Sequence, residues 1–417
     1  MHTLYSILTR ISIAFIWISQ FFSKKMQLFM KGRVGVLENI AKVIQPDDKT
    51  IWFHCASLGE YEQGLPIMEA IKIRYPEYKI VLTFFSPSGY EIKKASPVAD
   101  VVSYLPLDTA KNVKRFVKIV HPALAIFVKY EFWPNYLFEL EKYNIPSLLV
   151  SGLFRKKQAF FKWYGIFMRK ALLTIDYFFV QDASSEALLS TIGIDRVKIS
   201  GDTRFDRVSQ QIEKDNSLAY LETFKGDSIC VVCGSTWPED EAILLPFINE
   251  SGSNVKFIIA PHIIDSNKID SFRKKINKPS VLFSRRDSAD LSNASVFIVD
   301  TIGLLIKIYS YADIAYVGGA MGNSGLHNIL EPATFGVPIV IGKNFKKFPE
   351  AIRLQSLAAL FSAPTSEEIS DTMNKLVNDK DFRIKTGMIA GHFVNSNTGA
   401  TSIIINHIES HYGDRLI

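Results

Sequence analysis

At 417 residues, with 47% hydrophobic and 22% charged residues, the chain is too long for one ordinary core and too apolar to be disordered, so two globular domains are expected. The formal net charge of +6 favours an anionic partner such as a phosphate ligand, an acidic membrane surface or nucleic acid. Three cysteines, Cys55, Cys230 and Cys233, are too few for a disulfide framework and point to a reducing compartment.

The first 25 residues, MHTLYSILTRISIAFIWISQFFSKK, are apolar and aromatic, interrupted only by Arg10, and run into Lys24, Lys25, Lys31 and Arg33. As a helix the charge-free stretch over residues 11–23 is about 20 Å long, against about 30 Å for a bilayer core. It is too short to span and lacks a small-residue cleavage site; an interfacial helix with a basic collar over residues 1–33 is expected, with a buried structural helix as the alternative.

From Ile51 onward short apolar runs alternate with amphipathic segments. IWFHC, KIVLTFF, VVSYL, LAIFV, SLLVS and YFFVQ form a first series; SICVVCGS, VKFIIAPH, ASVFIVDT, IAYVGG and PIVIG form a second. That rhythm predicts an α/β fold of two doubly wound, Rossmann-like domains with parallel sheets. The boundaries are set at residues 34–205 and 206–417, with the final helix able to return to the first domain and a polar linker over residues 202–226. Cys230 and Cys233 lie three apart in a strand, so their side chains point to opposite faces and are expected to pack in the core rather than act as a redox pair.

Ligands of such sheets bind beyond the carboxyl ends of the strands. In the first domain those loops hold Glu60 in HCASLGEYEQ, Ser86 and Ser88 in SPSG, Glu131 in KYEFW and Arg155 in SGLFRKK. A carboxylate at the tip of a strand-to-helix turn is either a helix cap or a chemical tool. In the second domain, YVGGAMGNSGLHNILEPATFGVPIVIG places Gly318, Gly319 and Gly325 in a loop that allows close backbone approach. The helix expected near Asn328 offers N–H groups to a phosphate, and Glu331 can bridge ribose hydroxyls. Ser235 and Thr236 in CGSTWPEDE either cap a helix or meet a ligand. His262 and Arg204 supply donors for an anion. Nucleotide binding follows. Residues 154–170, FRKKQAFFKWYGIFMRK, interleave cations with aromatics and are expected to meet lipid headgroups rather than nucleic acid, for which no motif is present.

Taken in order, SLGEYEQGLPIMEAI, TFFSPSGYE, EFWPNYL, GDTRFD, GSTWPEDE, VDTIGLL and the glycine-rich segment resemble the 3-deoxy-D-manno-octulosonic acid (Kdo) transferases of lipopolysaccharide assembly, over nearly the whole chain. The resemblance implies a GT-B fold whose domains face a cleft, a CMP-Kdo donor, a lipid A precursor as acceptor, and a place at the cytoplasmic face of the bacterial inner membrane. It also implies inversion without a required metal. Glu60 matches the glutamate of the family's S-x-G-E motif and takes the role of catalytic base. Glu131, with Ser86, Ser88 and Arg155, falls to the acceptor or sugar site. Arg204, Ser235, Thr236, His262, Gly318, Gly319, Gly325, Asn328 and Glu331 fall to CMP. Leu304 stands where the family commonly has glutamate, Arg204 where it has lysine and His262 where it has arginine, so the donor contacts differ from the family pattern. Two other expectations stay open: a GT-B enzyme using a UDP-sugar, and a catalytically silent membrane-bound scaffold that keeps a nucleotide cleft.

Overall fold

The structure, a computed structural model, describes residues 2–416. It divides into two compact units: Met1–Arg207 together with Thr398–Ile417, and Val208–Asn397. In the first, seven parallel strands run β1 (Thr50–Cys55), β2 (Lys79–Phe84), β3 (Val101–Tyr104), β4 (Leu124–Val128), β5 (Ser147–Gly152), β6 (Tyr177–Val180) and β7 (Val197–Ile199), ordered 3-2-1-4-5-6-7 across the sheet. In the second, β8 (Ile229–Thr236), β9 (Val255–Pro261), β10 (Ser280–Leu282), β11 (Val296–Ile298), β12 (Ile314–Val317), β13 (Ile339–Ile341) and β14 (Leu360–Ser362) are ordered 10-11-9-8-12-13-14.

Every apolar run of the two series from Ile51 onward is a strand. The runs that sequence reading missed, β7, β10 and β14, are three-residue edge strands, and Lys198 and Ile199 of β7 are exposed. An edge strand packs on fewer neighbours and needs no continuous apolar run to be held.

Both faces of the first sheet are covered. Trp52 packs edge-on against Phe116 and Phe127 on one face, at 4.9 and 5.1 Å between ring centroids. Ile51, Phe53 and Cys55 face the other way, into a layer that includes Ile404, Ile405 and Ile408 of the final helix, Ala400–Leu416. Asp206 holds the start of that helix: its carboxylate accepts from Gly399 N (2.6 Å), Thr401 N (2.8 Å) and Thr401 Oγ1 (2.9 Å). In the second unit Cys230 and Cys233 are buried on opposite faces of β8, in separate core layers, and burial pushes the Cys230 thiol up to about 12.

Two local expectations change. The stretch 202–226 carries helices Thr203–Ser209 and Ala219–Lys225, and Leu221 and Phe224 are fully buried in the second unit's core; its polar composition hid these anchors. Arg33 does not join a solvent-facing basic collar. Its guanidinium donates to the carbonyls of Phe29, Phe85 and Leu105 and lies 3.7 Å over the Phe29 ring, and burial lowers its pKa to about 10.

The N-terminal helix His2–Ser19 is joined to the first unit through Tyr5, which donates to Asp108 Oδ2 at 2.6 Å and packs on Phe167 at 5.1 Å. Phe15, Trp17, Phe21 and Phe22 are exposed, and among the described residues no helix is long and apolar enough to cross a membrane.

Replacing Asp206 with alanine removes three bonds to one buried carboxylate and is expected to cost about 1–3 kcal/mol, read by urea unfolding. Amide exchange should rise in residues 400–416 before it rises in residues 229–317; simultaneous rise would show that Asp206 does not anchor the last helix.

Candidate active site

A topological switch point forms where consecutive strands leave in opposite directions along a sheet, between β1 and β4 and again between β8 and β12. The loops there carry the polar side chains.

After β1 the chain turns at Ser57 into helix Leu58–Arg74, and Glu60 sits in its first turn, 8% exposed. Glu60 Oε2 accepts from Ser57 N at 3.1 Å and from the Ser57 hydroxyl in a short bond. The carboxylate is therefore a helix cap through Oε2, and Oε1 remains for other chemistry. The neighbouring loop closes tightly on this turn. Ser86 N donates to Ala56 O at 2.7 Å, Ser86 Oγ lies 2.9 Å from Ser88 Oγ, and a Cβ on Gly89 would stand 2.9 Å from the Ser57 carbonyl carbon.

After β4 the backbone takes a left-handed turn at Lys129 (φ 73°) and delivers Glu131 and Trp133. Glu131 Oε2 accepts from Trp133 Nε1 at 3.0 Å and lies 3.2 Å from Nε2 of His54, a fully buried residue of β1. Sequence reading passed over His54 and Trp133. The signal was a titratable residue inside the apolar run IWFHC, which a core accepts only with partners.

In the second unit β8 ends with Ser235 in a left-handed conformation (φ 53°). Side chains other than glycine seldom adopt it, and such strain collects at functional sites. Ser235 and Thr236 belong to the strand and do not cap the next helix; the cap position is Trp237, whose N–H donates to Asp240 Oδ2 at 2.9 Å, while Thr236 Oγ1 donates to Glu241 Oε1 at 3.1 Å. Asp240, fully buried, also accepts from Tyr316 OH (2.7 Å) and Gly319 N (2.8 Å), so it ties β12 and the glycine loop to β8. Burial raises its pKa and the backbone bonds oppose that rise. The glycines are required by close approach: a Cβ on Gly318 would lie 2.3 Å from Ser235 O, and one on Gly319 would lie 2.1 Å from Gly325 O. Gly319 and Gly325 have φ of 93° and 95°.

His262 follows β9 and lies between two rings, 4.8 Å from Trp237 and 4.3 Å from His327. Trp237 Nε1 donates to His327 Nε2 at 3.0 Å, so the neutral His327 ring carries its proton on Nδ1. Trp237, Asp240 and His327 were not picked out in the sequence. Asn328 donates through Nδ2 to Glu331 Oε1 at 3.2 Å, and its Oδ1 accepts from Leu330 N at 3.1 Å. The helix expected near Asn328 begins at Leu330 and ends at Thr334, and five residues make only a weak dipole.

The sequence candidates thus form two groups. Glu60, Ser86, Ser88 and Glu131 come together on the first unit, and Ser235, Thr236, His262, Gly318, Gly319 and Gly325 on the second, where Asn328 and Glu331 follow the same loop. Arg204 belongs to the first unit and is held by Asp202, with Nε at 2.9 Å and Nη2 at 2.8 Å from Oδ2, so its charge is offset by a buried carboxylate. Arg155 is exposed in the loop after β5. Leu304 packs against the second unit's core.

A family model described as 3-deoxy-D-manno-octulosonic-acid transferase (kdotransferase) matches residues 30–207, which include Glu60, Glu131 and Arg204. A 3-deoxy-D-manno-octulosonic acid transferase of Aquifex aeolicus is 31% identical over 79% of this chain and 86% of its own length. One from Chlamydophila psittaci is 30% identical over 74% and 73%. The chain belongs to the 3-deoxy-D-manno-octulosonic acid transferase family. A putative UDP-N-acetylglucosamine 2-epimerase of Listeria monocytogenes superposes with a TM-score of 0.60 at 13% identity, covering 88% of this Kdo transferase homologue and 97% of the epimerase. That likeness concerns the fold alone, which is of the GT-B type.

Two half-buried histidines of this Kdo transferase homologue give its stability a sign with pH. Burial, reinforced by His262, lowers the His327 pKa to about 4, and burial with His411 and Lys198 does the same for His407. The unfolded chain takes up these protons near pH 6.5. Stability therefore falls as pH drops from 6.5 towards 4 and is untouched by these groups above 6.5. Urea midpoints across that window should fall, and His327→Gln should flatten the slope; an unchanged slope would contradict the assignment.

Proposed function

We propose that the protein transfers Kdo from CMP-Kdo to a sugar hydroxyl of a lipid A precursor at the cytoplasmic face of the inner membrane, with Glu60 as general base. Family membership supports the reaction, and the observation that carries the role of Glu60 is its bonding: Ser57 occupies Oε2 with both its N–H and its hydroxyl. Oε1 is the oxygen assigned to the acceptor.

In the proposed reaction the acceptor hydroxyl oxygen bonds to the anomeric carbon of Kdo from the face opposite CMP. The bond from that carbon to the phosphate oxygen breaks with its electron pair going to CMP, and the acceptor proton goes to Glu60 Oε1. The bonds from Ser57 fix the carboxylate through Oε2 and leave its direction set by the helix start. An oxocarbenium-like donor needs only a weak base, because departure of the phosphate runs ahead of attack. We assign the CMP site to Ser235, Thr236, His262, Gly318, Gly319, Gly325, Asn328 and Glu331, with Arg204 contributing positive charge. Glu131, Ser86, Ser88 and Arg155 are assigned to the acceptor or sugar.

Membrane contact is assigned to the exposed Phe15, Trp17, Phe21, Phe22 and Trp163, flanked by exposed Lys24, Lys25, Lys156 and Lys157. Aromatic rings suit the headgroup level and lysines suit anionic lipid. Residues 154–170 form two short turns that lead into helix Ile166–Leu172, and Trp163 is 86% exposed.

Glu60→Gln should reduce turnover of CMP-Kdo and a tetraacylated lipid A precursor by at least about a hundredfold, measured by mass analysis of the lipid, while CMP binding and thermal unfolding stay near wild type. Wild-type turnover in that variant removes Glu60 from the mechanism. The double variant Lys156→Glu, Lys157→Glu should lose affinity for anionic vesicles by about tenfold or more with CMP affinity retained; equal losses of both would overturn the membrane assignment.

A further inference from the structure

The hydrogen-bond geometry around His54 resolves its two ring nitrogens. Nδ1 lies 2.9 Å from Thr83 Oγ1 and 3.2 Å from Thr83 O, and a carbonyl only accepts, so Nδ1 carries a proton. The Thr83 hydroxyl agrees: its hydrogen goes to Phe53 O at 3.2 Å, and its oxygen accepts from Trp52 Nε1 at 2.8 Å.

With Nδ1 committed to the core, Nε2 faces Glu131 Oε2 at 3.2 Å, and Trp133 Nε1 lies 3.0 Å from that oxygen and 3.2 Å from Nε2. In this triangle the indole N–H is the one certain donor. It lies within reach of both Oε2 and Nε2 and so bridges the carboxylate to the imidazole. His54 is fully buried and the Glu131 side chain is 14% exposed, so little water is available to replace these bonds.

We propose that His54, together with Trp133, is the positioning residue for Glu131, holding Oε2 so that Oε1 meets a hydroxyl of the sugar substrate. The inference rests on the sugar-transfer role assigned to Glu131 above. It gives the histidine of β1 a task beyond filling the core.

Two substitutions separate the tasks, since asparagine carries its amide nitrogen near the place of Nδ1 and glutamine carries it near the place of Nε2. His54→Asn keeps the bond to Thr83 and loses Glu131; His54→Gln does the reverse. If His54 positions Glu131, His54→Asn should lower kcat/KM for lipid transfer by about tenfold or more, and His54→Gln should recover most of it. The loss from His54→Asn should also vanish in a Glu131→Ala background, because a positioning residue has nothing left to position. Trp133→Phe, which keeps the ring and removes the N–H at a less buried place, should show the same dependence on Glu131. Rescue by asparagine rather than glutamine, or losses that multiply independently with Glu131→Ala, would overturn the proposal. If the wild-type protein transfers no Kdo, the reaction proposed above fails by itself. The same variants then report on the pair through urea unfolding, where coupling between positions 54 and 131 supports the arrangement and additivity overturns it.

Discussion

β1 and β4 lie side by side and parallel, with Ile51 opposite Leu124 and His54 opposite Phe127. The next strand in sequence after β1, β2, leaves on the other side. The loops that follow β1 and β4 therefore diverge from a common edge, and Glu60 and Glu131 arrive there from segments about seventy residues apart in the chain. Parallel sheets covered on both faces have few places where a charged side chain can stand at low cost, and the carboxyl edge at a change of winding direction is one.

The same constraint operates in the second unit with different hardware. β8 and β12 are neighbours, and the loops beyond them are joined by one buried carboxylate, Asp240, which takes backbone donors from both sides and a tyrosine hydroxyl from β12. That link adds to the backbone bond from Gly318 N to Gly234 O at 2.9 Å in holding Gly318 and Gly319 against Ser235. The left-handed conformation of Ser235 belongs to this arrangement, since straightening it moves the carbonyl that Gly318 approaches. Substitution of either glycine would force a backbone shift, because each added Cβ would lie under 3 Å from backbone atoms.

The charged groups of the first unit are each held along one side. Glu60 is engaged through one oxygen by the serine three residues before it, and Glu131 through one oxygen by rings from its own loop and from β1. Each carboxylate is fixed by half and keeps its other oxygen. Arg204 is engaged along one edge by Asp202, which burial would favour protonated but which the guanidinium and hydrogen bonds hold below the usual carboxylate range.

The central strands, their parallel arrangement, the two-domain architecture and the loops that carry Glu60, Glu131 and the glycines were legible in the sequence, because buried strands require continuous apolar runs and these loops follow them directly. The segment order that resembles Kdo transferases was legible for the same reason: loop residues at strand ends are set by local spacing. Arg33 turning into the core, the short edge strands, Asp240 as a cross-strand tie and the triangle of His54, Glu131 and Trp133 were decided only by tertiary structure. Each depends on contacts between residues tens of positions apart, and a histidine in an apolar run or an aspartate after a proline has no pattern of its own that names its partner.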